Sequence, residues 1–293
     1  MSGVGHIVVI PDCQMATDYE HSVFIEQIDY IIRQAPDLVV FTGDMTDTNL
    51  DATWVFVAAQ LARLTAAGIK WVPVYGNHDY DWTSHATARV AGGDARLTAP
   101  AWIGGLKDAG ALANSYTFVT LGGRQWLVLA LEYSPTTATV AWANGIVAAH
   151  PTVPVILVTH AFLYRDGTRY DYATKGESQE YNPHSLLYQL TPSDGINDGE
   201  QLWQGLVLNH SNIRVVLSGH DVFATASRTD KRQDGTACHQ IVQDYQEFIP
   251  NSWGLTREYR FDEVNQAIFA ATYSASGKRY LVNAGSTFSL PMP

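Results

Sequence analysis

Five short segments carry metal-binding residue types in a fixed order: Asp12-Cys13-Gln14, Gly43-Asp44-Met45-Thr46-Asp47, Gly76-Asn77-His78-Asp79, Thr159-His160 and Gly219-His220. Carboxylates, amides and imidazoles are the donors from which a centre of two divalent cations for phosphate ester chemistry is assembled. Taken singly, a carboxylate after a strand is usually a turn former or helix cap, and a lone His is usually structural. Asp12, Asp44, Asn77, Glu132, His160 and His220 together are different, because each stands immediately or one residue after an apolar run.

Those runs, residues 7 to 11, 38 to 42, 71 to 75, 126 to 131, 154 to 159 and 214 to 218, are short and rich in Val, Ile and Leu. They read as buried parallel strands. Phe24, Ile28, Ile31, Ile32 and Ala35 recur at helical spacing between the first two runs, and Trp54, Ala58, Leu61 and Thr65 between the next two. Asp51 is a candidate N-cap of the second helix and Gly68 its stop. The order βαβαβ predicts a sheet with helical crossovers, and in such sheets ligands gather outside the carboxyl ends of the strands. Residues 222 to 293 contain five further strand candidates and a hairpin turn at Phe261-Asp262-Glu263-Val264-Asn265, which predicts a second, mainly antiparallel sheet packed on the first. Residues 161 to 200 are polar, Tyr-rich and turn-rich, as functional loops are, and read as a substrate-side insertion.

The ordered segments resemble the calcineurin-like metallophosphoesterases, whose pattern is Asp-x-His, Gly-Asp-x-x-Asp, Gly-Asn-His-Asp/Glu, a lone His and Gly-His-x-His. Residues 6 to 225 carry the resemblance, and Gly76-Asn77-His78-Asp79 is its most specific piece, expected by chance about once in a thousand chains of this length. The resemblance implies an α/β fold, a four-layer αββα sandwich of two mixed sheets flanked by helices, spanning residues 1 to 293 as one domain. It implies that Asp44 bridges two metals and that Asn77, His160 and His220 complete one of them. It also implies that His78 faces the leaving-group oxygen with Asp47 orienting its ring, while Asp79 closes the turn that presents Asn77 and His78.

At the other metal the chain departs from the family. Asp12 is present, but Gln14 replaces the usual His and Val222 stands where the last His belongs. This site should bind loosely and favour Mn or Mg, with Asp221 or Glu132 as candidate substitute ligands. The stretch Val216 to His220, with the later Asp244-Tyr245-Gln246, is similar to a bacterial subgroup that shares Asp-x-Gln and lacks the final His. The implied activity is hydrolysis of a phosphomonoester or phosphodiester by a hydroxide bridging two divalent ions, Mn foremost and Fe, Zn, Mg or Co as alternatives. Two rival readings use the same residues: a catalytically weak or inactive scaffold that recognises through its metal, and a mononuclear metallohydrolase of a non-phosphate ester.

Composition narrows the partners. A net charge of −11 disfavours long nucleic acid and anionic membranes, so the expected substrate is a small phosphorylated compound held by metal. No apolar run reaches about 18 residues, and no basic leader precedes His6 to Ile10, so a soluble, cytoplasmic protein is expected. Two cysteines exclude a disulfide framework, and alternation points Cys13 away from the metals. Arg165, Arg169, Lys175 and His184 are candidate phosphate clamps or a solvated loop surface, whereas His6, His21, His85, His150, His210 and His239 show no ligand spacing.

Overall fold

The computed structural model describes residues 3–80, 93, 96–189, 195–246, 254–283 and 285–293; His85 lies outside them. In chain order the elements that matter are β1 (Val4–Ile10), α1 (Gln14–Asp18), α2 (His21–Gln34), β2 (Leu38–Phe41), α3 (Asp51–Ala66), β3 (Trp71–Val72), β4 (Ile103–Leu106), β5 (Ser115–Leu121) and β6 (Arg124–Leu131). They continue with α4 (Thr137–Ala149), β7 (Val155–Thr159), β8 (Ile213–Ser218), β9 (Thr225–Lys231), β10 (Ala237–Gln243), β11 (Leu255–Asp262), β12 (Ala267–Ser274), β13 (Arg279–Tyr280) and β14 (Thr287–Pro291).

The continuous apolar runs exist because both faces of these strands are covered. Ile7, Val9, Leu38 and Val40 point one way and meet Val128, Ala130, Ile156 and Val158 of the facing sheet. Val8, Ile10, Val39 and Phe41 point the other way and pack on Phe24, Ile28, Ile31, Trp54 and Leu61 of α2 and α3. On the far side, Leu127, Leu129, Leu131 and Leu157 pack on Val140, Ala143 and Val147 of α4. The result is the expected four-layer αββα sandwich of two mixed sheets. α3 begins at Asp51 itself, with Leu50 at the cap position, so Asp51 acts as a first-turn acid beside the helix dipole instead of as the N-cap. The predicted hairpin turn is present, with Asp262 accepting from the amides of Val264 and Asn265.

The expectation that residues 222 to 293 form mainly a second sheet is corrected. One sheet runs β13-β12-β11-β1-β2-β3, with β14 also on β12; the other runs β4-β5-β6-β7-β8-β10-β9. The six apolar runs are therefore divided three and three. A strand buried on both faces looks alike in either sheet, so hydrophobic pattern cannot assign it. β11 pairs antiparallel with the edge of β1 opposite β2, whereas β10 pairs parallel with β8 and ends at the same level.

β11 also anchors this sheet electrostatically. Glu258, 2% exposed, accepts from the Tyr280 hydroxyl at 3.1 Å and from Tyr30, and lies 3.2 Å from His6 Nε2. Burial pushes its carboxyl up, but His6 and Tyr30 outweigh burial and hold it at about 2. A folded pKa below the unfolded one adds stability above the unfolded pKa, and that stability is lost as pH falls through the folded value. Glu258→Gln is thus expected to cost about 2 kcal/mol at pH 7, the difference shrinking from about pH 4 down to about pH 2. Urea unfolding at pH 7, 4 and 2.5 measures it, and a penalty independent of pH would contradict the assignment.

Candidate metal centre

Three of the candidate ligand residues sit on strained turns. Asp12, Asp44 and His220 have φ of 41°, 47° and 75°, left-handed values that cost a non-glycine residue on the order of 1 kcal/mol or more and that concentrate at functional sites. Close approach is enforced by small neighbours. A Cβ on Gly76 would lie 2.0 Å from Asp44 Oδ1, and one on Gly219 would lie 2.1 Å from Asp12 Oδ2. Glycine at these two positions lets the loop after β3 meet the one after β2, and the loop after β8 meet the one after β1.

Around His160 the donor atoms converge. Its Nδ1 lies 2.7 Å from the Thr42 carbonyl oxygen, and His220 Nε2 lies 2.7 Å from that of Tyr181. Each of those nitrogens carries a hydrogen in order to donate, which leaves lone pairs on His160 Nε2 and His220 Nδ1. These two atoms are 3.2 Å apart, and His160 Nε2 is also 3.2 Å from Asn77 Oδ1 and 3.3 Å from Asp44 Oδ2. Acceptors that close repel unless they share a cation. Ligands of a tetrahedral ion with bonds of about 2.1 Å lie about 3.4 Å from one another, so the set fits a divalent metal. The carboxylate of Asp44 outweighs burial and raises the pKa of His160. Burial and the neighbouring His160 drive His220 down to about 3.

The other half of the centre is richer in oxygen. Asp12 Oδ1 accepts from the His220 amide at 2.9 Å, while Asp12 Oδ2 and Gln14 Oε1 are buried without a hydrogen bond. Burial, Asp244 and Asp44 together push the Asp12 carboxyl well above its usual range, as expected where carboxylates crowd without a cation. Neither suggested substitute ligand is placed for the task. Asp221 Oδ1 accepts from Arg165 Nε and Nη2 at 2.9 and 2.6 Å. Glu132 accepts from Tyr80 at 2.8 Å and from Asn114 at 2.9 Å.

His78 stands beside Asp44. Its amide donates to Asp44 Oδ1 at 3.0 Å, and its ring Nδ1 lies 2.8 Å from the Asp47 carbonyl and 3.3 Å from Asp47 Oδ1. Asp47 thus anchors one edge of the ring and directs the Nε2 edge away from itself. Burial lowers the His78 pKa, but Asp44 and Asp47 outweigh it and raise the imidazole to about 10. Asp79 closes the turn: Oδ2 accepts from the amides of Gly76 and Met45 at 2.9 and 3.1 Å, and Oδ1 from that of Thr46 at 2.9 Å.

The calcineurin-like phosphoesterase family model matches residues 5–223. The chain belongs to this family. The chain is 25% identical over 272 residues to the uncharacterized protein YvnB of Bacillus subtilis, covering 88% of this chain and 19% of that protein, so it spans about a fifth of its relative's length. Its fold is similar to a dimetal phosphatase from Danio rerio (TM-score 0.57, 11% identity, 99% of each chain). It is also similar to the purple acid phosphatase PPD1 from yellow lupin seeds (TM-score 0.54, 14% identity, 99% of this chain and 54% of that one). A third likeness is to GAP50 of Plasmodium, an anchor in the inner membrane complex (TM-score 0.51, 11% identity, 99% and 89%). No helix among the described residues is long and apolar enough to cross a membrane.

The loops after β6 and β7 surround His220 with an aromatic wall. Ring centroids of Tyr133, Tyr170, Tyr181 and Tyr188 lie 5.1 to 6.3 Å from that of His220. The cations of the loop after β7 serve the loop itself: Arg165 holds Asp221, Arg169 holds Glu200 and Asp230, Lys175 bonds Thr168, and His184 bonds Gln201. They are structural ties, which replaces the phosphate-clamp reading. Cys13 is buried in the α2/α3 core, its thiol pushed up by burial, as alternation predicted. Sequence reasoning assigned no role to the Tyr181 carbonyl, a backbone group with no side-chain signature.

Proposed function

We propose that this protein hydrolyses small phosphate esters in a divalent-cation-dependent reaction at the centre formed by Asp12, Gln14, Asp44, Asn77, His160 and His220. The observation that carries the reading is the convergence of His220 Nδ1, Asn77 Oδ1 and Asp44 Oδ2 on His160 Nε2, each 3.2 to 3.3 Å from it, beside an anchored His78. Bound divalent cations would neutralise phosphoryl oxygens and lower the pKa of attacking water. The remaining steps belong to the chain. Asp44 lies between the two donor sets, touching both His160 and Gln14, and serves as their shared carboxylate. His78 donates a proton to the ester oxygen as its bond to phosphorus breaks, while water supplies the new oxygen on phosphorus. The tyrosines beside His220 keep bulk water from that imidazole. With the loop arginines committed to carboxylates, substrate capture falls to the cations, which fits a small compound.

The direct test is turnover of 4-nitrophenyl phosphate and bis(4-nitrophenyl) phosphate. Hydrolysis of at least one is expected, abolished by a chelator and restored by manganese. Metal-loaded protein that turns over neither would favour a non-catalytic scaffold, and activity confined to carboxylic esters would favour a mononuclear hydrolase of another bond.

A further inference from the structure

We propose that Tyr19 is a positioning residue for the leaving-group acid, acting through Asp47 on the ring of His78. The proposal rests on the phosphate ester reading above and concerns how its acid is held in line.

The end of α1 grips the segment that carries Asp47. Thr17 Oγ1 donates to the Met45 carbonyl at 2.7 Å, the Asp47 amide donates to Asp18 Oδ2, and the Tyr19 hydroxyl donates to Asp47 Oδ2 at 2.6 Å. Asp18 is fixed in turn from α3, its Oδ1 accepting from the Thr53 hydroxyl. Three consecutive side chains therefore hold one short stretch of the loop after β2 by a carbonyl, an amide and a carboxylate. The first two contacts fix its backbone. The contact of Tyr19 fixes the carboxylate.

That carboxylate is the one beside the acid. Asp47 Oδ1 lies 3.3 Å from His78 Nδ1, and the Asp47 carbonyl oxygen lies 2.8 Å from the same nitrogen. The last torsion of an aspartate is broad, so a carboxylate bonded through one oxygen alone turns easily. With Tyr19 on Oδ2, the other oxygen is presented to the ring. A hydrogen bond to an ionised acceptor is among the strong ones, and a carboxylate on one imidazole nitrogen sets the orientation of the other. The order is hydroxyl, carboxylate, imidazole, and no proton passes along it. Tyr19 keeps its own hydrogen, since the bond to Asp47 pushes its phenol up to about 12. Packing gives no other reason for the contact: Tyr19 is 56% exposed and lies outside the three apolar cores. Tyr19→Phe thus deletes one oxygen at the surface and leaves the cores as they are.

A double-mutant cycle with His78 tests the link. Tyr19→Phe is expected to keep its melting temperature and manganese content while losing about tenfold in kcat on an alkyl phosphate, with KM within about twofold. Because Tyr19 acts through the acid, the loss should shrink for a 4-nitrophenyl ester, as it does for His78→Ala. In the His78→Ala background, Tyr19→Phe should cause no further loss. Three results would overturn the proposal while leaving the phosphate ester reading intact: a wild-type rate in Tyr19→Phe, a change confined to KM, which marks a substrate contact, or a full additional loss in the double variant. Wild-type protein that turns over no phosphate ester would instead remove that reading and this proposal with it.

Discussion

Asp44→Asn is expected to hold no divalent cation tightly in either position and to lose at least about a thousandfold in kcat/KM on an aryl phosphate. A short carboxylate is the group that can face two cations while offsetting their repulsion, and Asp44 touches both donor sets, His160 Nε2 at 3.3 Å and Gln14 Nε2 at 3.3 Å. Asparagine keeps the size, and it retains an oxygen for the His78 amide that now bonds Asp44 Oδ1 at 3.0 Å, so the turn after β3 should survive. What disappears is the charge. Metal ions contribute several kcal/mol of charge stabilisation in such transition states, which at 1.36 kcal/mol per decade gives the factor quoted.

The same variant has a readout independent of turnover. A cation that binds only the folded chain stabilises it by about 2.7 kcal/mol at a hundred times its Kd. Wild-type protein should therefore melt at a higher temperature with manganese than without, and Asp44→Asn should melt at the same temperature in both. A manganese-dependent rise in the variant, with two ions still bound, would remove the bridging role.

Much of this centre is legible in the sequence because strand ends are legible. Asp44, Asn77, His160 and His220 follow apolar runs that are buried on both faces, and four turns at one end of the sheets bring them together. Placement among sheets is another matter. Local pattern cannot say that β10 lies parallel to β8, so the C-terminal strands read as one separate antiparallel layer. The substitute-ligand question fails for a related reason. Asp221 and Glu132 have the right type and place along the chain, but Arg165 holds one and Tyr80 with Asn114 the other, through pairings 56, 52 and 18 residues apart that sequence does not announce. Arg165 and Arg169 mislead in the opposite sense, since their partners Asp221, Glu200 and Asp230 are distant along the chain and convert apparent phosphate clamps into ties.

His78→Ala is expected to retain fold and cations while losing between about a hundredfold and ten-thousandfold in kcat, the range typical of general acid–base groups. The backbone contact that matters for the metal side, His78 N to Asp44 Oδ1, does not involve the ring and survives truncation. The ring makes its own contacts with Asp47, and with 24% of the side chain exposed it is open to a bound ester in a way that His160, fully buried, is not. Proton donation matters most when the departing alkoxide is basic. The loss should therefore be steep for an alkyl phosphate and shallow for a 4-nitrophenyl ester, whose leaving group departs readily as the anion. A rate series over leaving groups of increasing pKa separates this role from simple positioning, because a positioning defect lowers all substrates by one factor. Equal losses across the series would assign His78 to orientation, and unchanged turnover of the alkyl ester would remove it from the reaction altogether.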